Sequence, residues 1–188
     1  LQRTATDESA EQLGAVCREF VDELTGKQTI YQMIRLAEEV AQRGGRPDEP
    51  IEYKQLYHDR LMERIEGRRD RLRSGEAGPE SMLVPGSLEI LRGLAERDVT
   101  LYLASGTDVA YVREEAELLG IDGYFGPHLY GAVDDFRSFS KQMVIERLLE
   151  ENRVEVSRLV GFGDGYVEID NVKACGGLAV GVASDESA

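Results

Sequence analysis

From Val84 onward, short apolar runs rich in β-branched residues alternate with helical stretches, an order that few folds accommodate. Gly86–Arg97 is amphipathic at helical spacing. Val99–Ala104 (VTLYLA) follows it as a β-branched apolar run that reads as a buried strand. Asp108–Leu119 is helical and stops at Gly120, His128–Ala132 offers a short strand, and Ser138–Glu150 is another helix. Arg158–Phe162, a helix over Tyr166–Ala174, and the strand Leu178–Ala183 (LAVGVA) complete the series. Strands joined through helices cross over and run parallel, so the expected fold class is α/β, with a doubly wound parallel core.

Upstream of Val84 the periodicity is helical throughout. Leu13, Val16, Phe20, Val21 and Leu24 recur at helical spacing in Ser9–Leu24, as do Ile30, Met33, Ile34, Ala37 and Val40 in Gln28–Ala41. Gly44-Gly45, with Pro47 and Pro50 behind it, stops the second helix. A third is expected over Ile51–Leu72, with Leu56, Leu61, Ile65 and Leu72 on its apolar side, before the turn-rich Ser74–Pro79. Three helices without a strand imply a helical subdomain over 1–80 beside an α/β core over 81–188.

Charge narrows the partners. The 188 residues carry a formal net charge of -14, a field that repels nucleic acid and anionic membrane surfaces. No nucleic-acid partner and no membrane partner is expected, and no apolar run of about 18 residues is present to span a bilayer. An anionic ligand must therefore meet a local positive feature: a metal, a lysine or a helix N-terminus. Cys17 and Cys175 share no metal-ligand spacing and no signal-peptide pattern occurs, which points to a reducing, cytoplasmic setting. His58 and His128 have no second ligand nearby in sequence and are expected to be structural.

Ligands of parallel α/β sheets bind at the carboxyl ends of the strands, so the residues just after each strand matter most. After VTLYLA come Ser105, Gly106, Thr107 and Asp108; after LVGF come Gly163, Asp164, Gly165, Tyr166, Val167 and Glu168. Between them Lys141 opens a helix behind Phe139-Ser140. A hydroxyl with neighbouring backbone N–H groups can hold phosphate oxygens, and a lysine can neutralise charge developing on a phosphoryl group. A carboxylate after a strand can hold Mg²⁺. Phosphoryl transfer is catalysed mainly by positioning and charge stabilisation of this kind. Taken singly, each residue also has an ordinary reading. Ser105 suits a helix cap, Lys141 a helix surface, and Asp164 and Glu168 the acidic start of a helix. Gly161-Phe-Gly163-Asp-Gly165 is not a dinucleotide loop, because Tyr166 stands where the third glycine belongs.

In this order, strand-Ser-Gly-Thr, Ser-Lys opening a helix, and strand-Gly-Asp-Gly-x-x-Glu resemble the second, third and fourth motifs of haloacid-dehalogenase-like (HAD) hydrolases. The resemblance covers roughly Val84 to Asp185, and the helical first half resembles the inserted cap of members related to phosphoglycolate phosphatase and β-phosphoglucomutase. It implies a Rossmann-like core and a Mg²⁺-dependent phosphatase acting on a small phosphorylated metabolite. Ser105, Gly106, Thr107 and Lys141 would bind the phosphoryl group. Lys141 would also stabilise an aspartyl-phosphate, and Asp164 and Glu168 would serve the metal.

The family's first motif, Asp-x-Asp-x-Thr or Val, is absent: no Asp-x-Asp occurs in the sequence, and Asp134-Asp135 lacks the spacing. By the resemblance, the nucleophile's strand lies between Val99–Ala104 and Arg158–Phe162. Without it, both neighbours are left with unpaired backbone groups, at a cost on the order of 1–3 kcal/mol for each buried group. The 188 residues are therefore expected to belong to a longer protein and to be inactive alone. Two alternatives stand beside the phosphatase: a catalytically dead HAD-like binding or regulatory protein, and a dehalogenase. In the helical half, Thr25-Gly26-Lys27-Gln28 is a candidate for substrate selection. The run Arg60, Arg64, Arg68, Arg69, Arg71 and Arg73 reads either as a solvated face paired with Glu63 and Glu66 or as a surface for an anionic substrate.

Overall fold

The computed structural model describes residues 6–133 and 136–183; Asp134-Asp135 lies outside them. The chain forms two compact units that meet between Arg64 and Ile65, inside one long helix. In the first unit, α1 (Ala10–Glu23) begins at Ser9, whose hydroxyl accepts the Gln12 N–H at 3.2 Å. The Gln12 side chain accepts the Ser9 N–H at 2.7 Å in return, so two backbone donors at the helix start are satisfied reciprocally. With α2 (Thr29–Gln42), it buries Leu13, Phe20, Ile30, Met33 and Val40, the stripe that the 3.6-residue period marked.

Glu39 is also buried in this unit, only 4% exposed, and its charge is met by Arg35 at 2.5 Å and by Arg43. Arg43 in turn donates to Glu8 through Nε at 2.5 Å and Nη2 at 2.9 Å. These hydrogen bonds hold the Glu8 carboxyl below its ordinary value of 4.5, with the Thr6 hydroxyl assisting. A depressed folded-state pKa means that the contribution of Glu8 to stability is complete above 4.5 and is lost as pH falls through the lowered value. Glu8→Gln should therefore lower the urea midpoint at pH 7, and the gap from the parent should close on acidification. A gap that persists at pH 2 would exclude this role.

The third helix, α3 (Pro50–Arg73), has no buried residue. Leu61, Ile65 and Leu72 are half-buried as expected, but Leu56 is 48% exposed. Several of its arginines are ion-paired. Arg69 and Arg73 both pair with Glu114, Arg73 also reaches Asp70 at 3.0 Å, and Arg71 reaches Glu76 at 3.4 Å. At the turn before α2, Gln28 is only 5% exposed, so its side chain packs inside the helical unit.

The second unit carries the alternating elements: α4 (Ser87–Ala95), β1 (Leu103–Asp108), α5 (Val109–Leu118), α6 (Asp122–Phe125), β2 (Leu129–Ala132), α7 (Lys141–Asn152), β3 (Val160–Gly163), α8 (Tyr166–Ala174) and β4 (Leu178–Gly181). Gly120, at φ 64°, ends α5 in the left-handed conformation that glycine adopts without a steric penalty. Val112, Ala116, Ile121, Phe125 and Leu129 form one buried cluster, and Ala132, Phe139 and Val144 form a second. Among the described residues no helix is long and apolar enough to cross a membrane.

The strands are parallel, as the crossovers require, but they form two pairs. β1 lies beside β2, with Leu103 opposite Leu129, and β3 lies beside β4, with Val160 opposite Leu178. No described strand joins β1 to β3. The expected strand Val99–Ala104 is displaced accordingly: pairing begins only at Leu103, whose N–H donates to the His128 carbonyl at 2.9 Å. Val99 remains 44% exposed because nothing described pairs with it. Val160 and Phe162, each 47% exposed, show the same effect on the other side, where continuous apolar strands ordinarily lie buried.

Candidate active site

β1 passes through Ser105, Gly106 and Thr107 instead of ending before them, but its register with β2 breaks between Ala104 and Asp108. The three residues thus fall where the regular register with β2 is interrupted. The Ser105 hydroxyl accepts the Thr107 N–H at 3.2 Å and stiffens the turn into α5. Gly131 of β2 supports this segment from below. A Cβ built there would lie 2.6 Å from the Thr107 carbonyl oxygen, 2.6 Å from Val109 Cα and 2.7 Å from Val109 N. Such distances admit no side chain. Gly131 escaped the sequence reading, although a glycine inside a strand signals close backbone approach.

Lys141 is the first residue of α7, and the Ser140 hydroxyl caps that helix by accepting the Met143 N–H at 3.1 Å. Ala104 packs against the buried cluster of Ala132, Phe139 and Val144, the last two on either side of Ser140-Lys141, so packing fixes this helix start beside the end of β1. Lys141 is ion-paired with Glu168 in the first turn of α8, and both side chains are mostly buried, at 15% and 17% exposed. Asp164 occupies the turn between β3 and α8, and its side chain is exposed. Glu168 folds back over that turn. A Cβ at Gly163 would come within 2.5 Å of Glu168 Cβ, and one at Gly165 within 2.7 Å of its Oε2. The two glycines of Gly-Asp-Gly therefore make room for the glutamate beside Asp164.

The structure pairs Lys141 with Glu168 and sets Glu168 over the turn that carries Asp164, while Ala104, just before Ser105, packs on the cluster that includes Phe139 and Val144. Glu168 Oε1 is taken by Lys141, whereas Oε2 is buried with no hydrogen-bond partner. An orphaned carboxylate oxygen over the turn that carries Asp164 fits a hard divalent cation. Mg²⁺ is commonly held by one or two carboxylates, with waters filling its remaining positions. No group of three or more His, Cys, Asp or Glu side chains is placed to hold a metal among the described residues. The two histidines have structural surroundings: His128 lies 4.4 Å from the Tyr102 ring, and His58 is half-buried next to Asp59.

Comparison with known proteins supports the same architecture. None of the curated proteins matches the sequence significantly. A crystal structure of β-phosphoglucomutase from Clostridium difficile superposes with a TM-score of 0.65 at 16% identity, over 90% of this chain and 71% of that one. A Thermotoga maritima structure assigned as a β-phosphoglucomutase superposes with a TM-score of 0.53 at 19% identity, over 89% of this chain and 70% of that one. At such identities the likeness concerns the fold. The model of the haloacid dehalogenase-like hydrolases matches residues 3–176, nearly the whole chain. With a parallel α/β core and motif residues at its strand ends, the chain belongs to the haloacid dehalogenase-like hydrolase family.

Proposed function

We propose that this chain provides the phosphoryl-binding and metal-binding parts of a Mg²⁺-dependent phosphatase acting on a small phosphorylated metabolite. The observation that carries the reading is the Lys141–Glu168 pair set over the strand-end turn that carries Asp164, with a buried carboxylate oxygen left without a partner. In this reading Ser105, Gly106 and Thr107 bind phosphate oxygens through a hydroxyl and backbone N–H groups. Lys141 draws negative charge off the phosphoryl group, and Asp164 and Glu168 hold the cation that neutralises the rest. When bound, Mg²⁺ supplies Lewis-acid polarisation of the phosphoryl oxygens. The attacking carboxylate is an aspartate on a further strand seated between β1 and β3, since no Asp-x-Asp occurs in the 188 residues.

The test is calorimetric titration of the 188-residue chain with MgCl₂ and with inorganic phosphate, alongside an assay of phosphate-ester hydrolysis. The expected result is binding of both ions without turnover. Binding of neither ion would refute the reading. Hydrolysis by the 188 residues alone would refute the assignment of the nucleophile to another strand.

A further inference from the structure

The Lys141–Glu168 pair has a consequence for how the site fills. We propose that phosphate and Mg²⁺ bind here with positive cooperativity because each must take one partner of this single ion pair. The inference rests on the reading of the site given above. Before either ligand arrives, the ammonium of Lys141 occupies Glu168 Oε1 and stands where it repels an incoming dication. A phosphate dianion held at Ser105–Thr107 gives that ammonium a new partner. The Glu168 carboxylate is then released on the metal side, with its Oε2 already facing the Gly163–Gly165 turn that carries Asp164.

Gly163 and Gly165 are what allow this exchange. They leave space for the glutamate chain over the turn, so Glu168 can change partner without changing its place. The break in the Lys141–Glu168 pair is made once and serves both ligands. Each ion should therefore raise the affinity of the other by the same factor, as linkage demands, and about tenfold is expected for a coupling of this type.

Direct attraction between Mg²⁺ and phosphate would also produce coupling, and Lys141→Met separates the two causes. In the wild-type chain, Mg²⁺ affinity measured by calorimetry should rise about tenfold in saturating inorganic phosphate. In Lys141→Met, Mg²⁺ alone should bind several-fold tighter than to wild type, because its competitor for Glu168 is gone. Lys141→Gln, which removes the charge but can still donate a hydrogen bond to Glu168, should behave alike and decides the matter if the methionine variant does not fold. Mg²⁺ binding in the absence of phosphate that is unchanged or weaker in the folded variant overturns the exchange while leaving the metal site intact. Failure of the wild-type chain to bind either ion overturns the site itself and this inference with it.

Discussion

Replacing Lys141 by alanine should weaken binding of inorganic phosphate by roughly 10- to 100-fold, the range expected when one hydrogen bond to a charged group is removed. Lys141 opens α7 where packing of Ala104 on the cluster of Ala132, Phe139 and Val144 brings that helix start near the end of β1. The chain is strongly acidic, at -14, so an anion has no general electrostatic attraction to fall back on. Lys141→Arg should retain much of the affinity. The alanine variant should also lose stability, because Glu168 would then hold a buried carboxylate with neither oxygen partnered, a cost of about 1–3 kcal/mol. Phosphate titrations and urea melts of the three proteins check both effects. Equal phosphate affinity in wild type and Lys141→Ala would remove the lysine from the site.

Gly131→Val is the second substitution with a large expected effect, and it acts through the backbone. The atoms a Cβ would strike, the Thr107 carbonyl oxygen and Val109 N and Cα, belong to the main chain and cannot rotate away. Either β2 separates from β1 or the Ser105–Val109 segment rises. Overpacking of this kind costs typically about 1–3 kcal/mol, and a displacement of about 1 Å in a positioning loop can cost on the order of 100-fold in rate. The variant should therefore lose stability in urea and lose phosphate affinity even where it remains folded. An unaltered phosphate affinity in a folded Gly131→Val protein would mean that the β1–α5 turn does not touch the anion.

The longer helices were legible in the sequence because each carries its own signal, whereas the single-turn α6 was not. Ser9 and Gln12 mark the start of α1, and Tyr166–Ala174 is helical over the expected span. Strands carry less information, since their extent depends on a partner. VTLYLA has the composition of a buried strand, yet only its end is paired, and Val160 and Phe162 stay half-exposed for the same reason. The candidate site residues were chosen by their order along the chain. Their connections could not be read that way, because the Lys141–Glu168 pair links positions 27 apart through folding alone. The support from Gly131 was hidden similarly: its importance lies in which backbone passes above it.

A phosphoryl-transfer site completed by a strand between β1 and β3 is the reading on which these expectations rest. It is tested most directly by adding an Asp-x-Asp-x-Thr strand as an amino-terminal extension and measuring phosphate release from a panel of phosphate esters, with and without Mg²⁺. No release is expected from the 188 residues alone, and Mg²⁺-dependent release is expected from the extended chain, abolished by replacing the first aspartate of the added strand. Release that persists in that aspartate variant, or no release from a folded extended chain that binds both Mg²⁺ and phosphate, would contradict that reading.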